Sequence, residues 1–409
     1  MSAWGLHACV DREAAESFSK SAAPITSAVA RWSKPRSSKP RWPKLQYLAK
    51  LYVHDILACV VLAWLALMTI ACTGSNPAHS VAGGGGTNGL TGAGSTFINP
   101  AMSQWAADFG QQNKVQINYQ SIGSGGGIQQ LKKGLVDFGA SDAALDDKAL
   151  GEMPPVVQIA ESAGPVCITY NLPNLGKPLR LSDTTLAGIF LGKIMKWNDP
   201  AIKKDNPDVN LPNLQITVAH RSDGSGTTNI FTTYLSQVDP EWDQKVGKGI
   251  SVSWPAGVGG KGSEGVTGVV KQAPGAIGYV ELTYAKENNL PVAEIRNKAG
   301  NYELPTAQGT TDAIEAFSTE LSKDVRVPIV NPPAAAKDAY PIAGLTFVLV
   351  PKDGDDTAKR QNLKDFLQFV ITNGQETATK LNYAALPKTL VAQDQTLLGQ
   401  MKANGQALR

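Results

Sequence analysis

Hydrophobic and polar positions along this chain switch between two periods. Val115-Gln116-Ile117-Asn118-Tyr119 alternates, the pattern of a strand with one buried face. Gly127–Leu135 then has helical spacing and leads to a short apolar strand, Val136-Asp137-Phe138. Thr346-Phe347-Val348-Leu349-Val350 predicts another apolar strand, stopped by Pro351. Leu363, Phe366, Leu367 and Val370 share one helix face, and Gly374 falls where a C-terminal cap is expected. Helical patterns also cover Pro100–Phe109 and Ile230–Leu235. Short strands alternating with helices predict an α/β fold with a mostly parallel sheet covered on its faces. In such folds ligands sit at strand carboxyl ends, beside helix N-termini.

One apolar run breaks this alternation. Ile56–Ala71 is uncharged over 16 residues, short of the ~20 that span a bilayer as a helix. It follows basic residues and ends at Ala71 and Cys72, the pattern of a secretory signal. A cysteine directly after the run resembles a bacterial lipoprotein signal, in which Cys72 would be acylated. Thr69 and Ile70 depart from the residues usual there. The alternative is an uncleaved membrane anchor; both place the chain beyond Cys72 outside the cytoplasm. Residues 1–71 thus form a basic extension and signal, and 72–89, rich in glycine, a flexible tether. Beyond the signal only Cys72 and Cys167 remain, so no disulfide is expected if Cys72 carries lipid, and Cys167 within Val166-Cys167-Ile168 is expected to be a buried strand residue.

Charge adjusts this picture. Residues 1–71 hold nine Lys/Arg against four acids, a surplus of five, which leaves the rest of the chain at −2 of the total +3. Nothing here suits nucleic acid. An anion would have to be held by a local site, not by a global field. A chain of 409 residues suits two or three domains, and with 18% charged residues and 40 glycines it is no coiled coil or helical bundle.

Three segments could build such a site. Gly92-Ala93-Gly94-Ser95-Thr96-Phe97, Gly123-Ser124-Gly125-Gly126-Gly127 and Arg221-Ser222-Asp223-Gly224-Ser225-Gly226-Thr227 each precede a helical pattern. Each supplies glycine for close approach, a hydroxyl, and the free N–H groups and partial positive charge of a helix start. That combination suits phosphate or sulfate. Taken singly, each segment is equally well a turn with an N-cap. Arg221 would bring the one full positive charge, in a fork that fits two oxygens, and Asp223 could hold it in position. Asp142, just past a predicted strand, would be an acceptor for an anion that keeps a proton and would repel a fully ionised one. Its plainer role is to cap a helix over Asp142–Leu150.

These segments, with Val136–Ala143, Leu191–Trp197, Gly257–Gly262, Pro274–Glu281 and Leu381–Pro387, resemble in order the phosphate-binding protein of the bacterial high-affinity phosphate ABC transporter. The resemblance runs from about residue 90 to about residue 390 and leaves out residues 1–55. It implies a two-lobed periplasmic-binding-protein fold of type II with inorganic phosphate held in the cleft. It implies one lobe from residues 88–160 plus 340–409, the other from 161–339, and hinge strands at Ile159–Gly164 and Lys337–Tyr340. Carried over by position, Ser95, Thr96, Phe97, Ser124, Ser225, Gly226 and Thr227 would donate to phosphate. Asp142 would accept its proton, Arg221 would pair with it and Asp223 would orient Arg221. Ser95 replaces a common alanine and Gly125 a frequent serine. The implied partners are membrane permease subunits with a separate ATPase, for a monomer on the outer face of a membrane, in the periplasm or cell envelope, with no cofactor.

An enzyme would need a nucleophile with a base, or a metal. After the signal the chain holds only His79 and His220. Ser124 and Ser225 are not in a Gly-x-Ser-x-Gly elbow. No spacing suggests zinc, and Gly260-Lys261-Gly262 is no phosphate-binding loop because no Ser or Thr follows the lysine. A phosphatase using Asp142 or Ser225, and a binder of sulfate or another tetrahedral oxyanion, remain the alternatives.

Overall fold

The computed structural model describes residues 89–409 apart from Asn174; the predicted signal, Cys72 and all but the last residue of the tether lie outside the described residues. Eight strands make one mixed sheet: β1 (Leu90–Gly94), β2 (Ile117–Ser121), β3 (Phe138–Ser141), β4 (Val156–Tyr170), β5 (Thr217–Arg221), β6 (Val258–Gly260), β7 (Ala276–Glu281) and β8 (Ala343–Pro351). Their spatial order is β2-β1-β3-β8-β4-β7-β5-β6. Helices α1 (Asn99–Asn113), α2 (Ser124–Lys132), α3 (Gly226–Val238), α4 (Gly262–Gln272), α5 (Thr357–Ile371) and α6 (Lys388–Leu398) are among those packed around it.

Both ends of the sheet are parallel. β1 pairs in parallel with β2 and β3, and β5 with β6 and β7. The centre is antiparallel: β8 against β3 and β4, and β4 against β7. The expectation of a mostly parallel sheet therefore holds only toward the edges. The long β4 joins the two regions, pairing with β8 as far as Pro165 and with β7 from Val166 onward. β4 is buried at every position but its first, and β8 at every position but its last. Strands covered on both faces read as continuous apolar runs, not alternating ones.

Each region has its own aromatic packing. Phe109 and Phe138 meet Phe366 near the β1 end. Near the β5 end Phe231 and Trp254 stack on Tyr279, and Phe190 meets Phe231 edge-on. Cys167 is buried in β4, as its apolar neighbours predict.

Some boundaries differ from the sequence pattern. α2 begins at Ser124, not Gly127, because the glycines form its first turn. No helix covers Asp142–Leu150; a short one spans Asp147–Gly151 and is capped by Asp146, so Asp142 caps nothing there. Gly374 is not a C-cap but opens the helix Gly374–Lys380. Packing explains it: Trp105 Nε1 donates to the Gly374 carbonyl at 2.8 Å, and a Cβ on Gly374 would lie 2.9 Å from that nitrogen.

Candidate anion-binding site

The three glycine-hydroxyl segments meet. Each leaves the carboxyl end of a strand and enters a helix: β1 through Ser95-Thr96-Phe97 toward α1, β2 through Gly123 into α2, and β5 through Asp223 and Ser225 into α3. Asp142 follows β3 directly. Ser124 Oγ accepts from Gly226 N at 3.0 Å and from Asp142 N at 3.4 Å, tying segments two and three to the end of β3. Gly125 N donates to Gly224 O at 2.9 Å. Asp142 accepts from Thr227 Oγ1 at 3.3 Å and from the Ser95 hydroxyl. Ser95, Thr96, Phe97, Ser124, Asp142, Arg221, Ser225, Gly226 and Thr227 are all buried.

Close packing needs glycine at the meeting point. A Cβ on Gly226 would fall 2.6 Å from Asp142 N, so only glycine lets the start of α3 sit against the end of β3. Gly123 has φ +87°, and a Cβ there would meet Asp223 Oδ2 at 2.2 Å.

The structure adds a fourth segment of the same kind. β6 ends at Gly260 and α4 begins at Gly262. Ser263 N donates to Thr96 Oγ1 at 3.1 Å, and Gly262 N donates to Asp223 Oδ1 at 2.9 Å. The stretch from Gly257 to Ser263 carried the same signal, glycine and serine before a helix. Four helix N-termini thus open beside one group of buried polar side chains.

Charge in this group is arranged, not absent. Arg221 and Asp223 form an ion pair through Nε at 2.8 Å and Nη2 at 2.5 Å, which leaves Arg221 Nη1 without a protein partner among the described residues. Arg221 N donates to Tyr279 Oη at 3.1 Å, and that hydroxyl also lies 2.7 Å from Thr228 Oγ1. Burial pushes the Asp223 carboxyl up, but the hydrogen bond and charge of Arg221 outweigh this and hold it below the usual range. Asp142 goes the other way. Burial pushes it up to about 6 against the opposing pull of Ser95, Arg221, Thr346 and Thr227. Two carboxylates against one guanidinium leave the group with no surplus of positive charge. An anion here depends on N–H and O–H dipoles and on Asp142 meeting a proton.

Individual placements differ from the sequence expectation. The Ser95 hydroxyl donates to Asp142 and accepts from Phe97 N at 3.0 Å, so its proton is spent within the protein. Ser225 Oγ accepts from Thr228 N at 3.1 Å, making it the N-cap of α3 as well as a member of the group. His220 stacks on Trp254 with ring centroids 4.9 Å apart. Glu161 and Thr346, which the sequence did not single out, lie directly behind Asp142; Thr346 Oγ1 is 3.2 Å from Asp142 Oδ1 and 3.0 Å from Glu161 Oε1. No group of three or more His, Cys, Asp or Glu side chains able to hold a metal occurs among the described residues.

A family model described as a PBP superfamily domain matches residues 79–373. A curated relative from Xylella fastidiosa (strain Temecula1), named phosphate-binding protein PstS, is 47% identical over 306 residues, 74% of this chain and 83% of the relative. The chain belongs to the PstS family. A PstS relative from the archaeon Methanocaldococcus jannaschii is 41% identical over 69% of this chain and 78% of its own length. The PstS fold is seen too in a solved phosphate-binding protein from Stenotrophomonas maltophilia, with a TM-score of 0.57 at 18% identity over 75% of this chain and 93% of that one. The fold is therefore the two-lobed periplasmic-binding-protein fold, with its curled, mixed sheet shared between the lobes.

Proposed function

We propose that this protein binds inorganic phosphate outside the cytoplasm and delivers it to the permease of a phosphate ABC transporter, with transport powered by a separate ATPase. PstS family membership supports this. The observation that carries it is Asp142. A buried carboxylate among hydroxyls and helix N-termini, beside one arginine, suits an anion that still carries a proton. Phosphate near neutral pH keeps one; sulfate does not.

In this reading Thr96 and Thr227 offer N–H groups, Ser124 and Ser225 offer hydroxyl protons, and the N–H groups of Phe97 and Gly226 are shared between the anion and Ser95 Oγ and Ser124 Oγ. Arg221 offers Nη1, Asp223 orients it, and Asp142 accepts the phosphate proton. Ser95 serves through Asp142. The lobes comprise residues 88–160 plus 340–409 and residues 161–339, hinged at Ile159–Gly164 and Lys337–Tyr340. The change of partner along β4 at Pro165 and Val166 supports a hinge in that strand. The protein acts by binding, without catalysis, as a monomer with no cofactor. It is tethered to the outer face of a membrane through lipid on Cys72. No described helix is long and apolar enough to cross a membrane.

Titration calorimetry on the purified protein tests the reading. Phosphate is expected to bind tightly and sulfate at least ~100-fold more weakly, about 3 kcal/mol. Equal affinity for the two anions refutes the role given to Asp142. Release of p-nitrophenol from p-nitrophenyl phosphate, lost in Ser225→Ala, would replace the binding reading with a phosphatase.

A further inference from the structure

Glu161 occupies a position where strand geometry gives it a purpose. Along β4 and β8, Thr346 pairs with Ser162 and Phe347 pairs with Ala160, so Glu161 is the extra residue of a β-bulge. Bulges redirect the side chain they carry. Here that side chain is a carboxyl, fully buried in a strand otherwise suited to apolar contact, and it reaches Thr346.

The hydrogen-bond count at this point does not close for two ionised carboxylates. Thr346 Oγ1 lies within bonding distance of both Asp142 and Glu161 but has one proton to give. One carboxyl must therefore bring a proton of its own. Asp142 is the better-supplied carboxylate, accepting from Ser95 and Thr227 and feeling the charge of Arg221. Glu161 has only Thr346, and its Oε2 finds no partner. A bare oxygen on an ionised, buried carboxylate is far more costly than on a neutral one.

Resting on the phosphate-binding reading, we propose that Glu161 is a positioning residue for Asp142: its neutral carboxyl donates to Thr346 Oγ1 and so aims the Thr346 hydroxyl proton at Asp142. The chain runs Glu161 O–H to Thr346 O–H to the Asp142 carboxylate. It keeps Asp142 ionised, as an acceptor, and ties the ligand group to β4 and β8. Burial acts in the same direction, pushing Glu161 up to about 8, with the Thr346 hydrogen bond opposing and the Asp142 charge adding.

Other ionisable groups surround this chain. Tyr119 in β2 donates to the Ser95 carbonyl at 2.8 Å. Arg221 stands at the end of β5. Arg326, paired with Asp324 and Asp147, lines a cavity of about 40 Å³ that Asp142 also borders. Asp394 on α6 accepts from Ala160 N at 3.1 Å, and burial raises it too to about 8. Comparing wild type with Glu161→Gln cancels the titration of Asp394.

The test is phosphate titration calorimetry on the full chain and its variants. Glu161→Gln keeps a donor to Thr346 and is expected to bind phosphate within about threefold of wild type, whereas Glu161→Leu and Thr346→Val each weaken binding about tenfold. The double variant Glu161→Leu/Thr346→Val should be no weaker than Thr346→Val alone, because both act through one path. As pH rises from about 7 to about 9, wild-type affinity should fall while that of Glu161→Gln holds. Glu281 and Asp394 also contribute to the infrared carbonyl band of neutral carboxyls at neutral pH, so the component lost in Glu161→Gln reads the Glu161 proton whether or not phosphate binds. A carbonyl band unchanged in Glu161→Gln, parallel pH profiles, or a Glu161→Gln loss equal to that of Glu161→Leu each overturns the proposal. A Glu161-dependent component in a protein that binds no phosphate leaves the proton on Glu161 but overturns the positioning role along with the phosphate reading.

Discussion

Replacing Gly226 with alanine tests the meeting of α3 with the end of β3. The added Cβ would lie 2.6 Å from both the Cβ and the N of Asp142 and 2.7 Å from its Cα. The obstacle is mainly backbone, so no flexible side chain can swing aside. Gly226 has no positive φ, so alanine strains nothing else there. The clash is relieved by the start of α3 moving off Asp142, which breaks Gly226 N to Ser124 Oγ at 3.0 Å and Thr227 Oγ1 to Asp142 at 3.3 Å. One neutral hydrogen bond and one to a carboxylate together contribute about 3 kcal/mol, in the range that overpacking a tight contact costs. That predicts phosphate affinity lower by roughly 100-fold. Calorimetry reads the affinity, and circular dichroism shows whether the ligand-free variant keeps its fold, as expected if the lobes part instead of unfolding. A Gly226→Ala protein that binds phosphate as tightly as wild type would show that this contact is not part of the bound state.

Three further outcomes follow from other parts of the molecule. Glu161, Glu281 and Asp394 are each raised by burial to about 8. The folded protein therefore holds protons that the unfolded chain releases near pH ~4, and stability should fall as pH rises from about 5 to about 8, by up to about 1.4 kcal/mol per pH unit for each group. Urea unfolding at two pH values measures this, and stability that rises over that interval contradicts the assignment. Tyr279→Phe leaves Arg221 N without its 3.1 Å acceptor and should cost about 1–3 kcal/mol in the same assay; no loss would mean the bond is not made. Cys72→Ser should release the protein from membranes in cell fractionation, and an unchanged membrane fraction argues for an uncleaved anchor in place of lipid.

Local pattern was enough for the alternation of strands and helices, since periods of 2 and 3.6 depend only on which side faces a core. It also marked the three helix starts and Arg221, because glycine, hydroxyl and guanidinium have few reasons to recur together before helices. The same local signal was present at Gly262 and Ser263, but the segment entered through the family resemblance and was not counted among the helix starts. Gly374 shows the opposite limit: its place at the end of a helical stripe looked like a cap, and only contact with the Trp105 indole shows why glycine is there. Asp142 was visible as chemistry but not as geometry, since nothing near it in sequence brings Ser95, Thr227 and Thr346 to one carboxylate. Glu161 was not visible at all. Its role comes from a bulge flanked by the pairs Thr346–Ser162 and Phe347–Ala160, residues far apart in the chain, and a pairing register is a property of two strands, never of one.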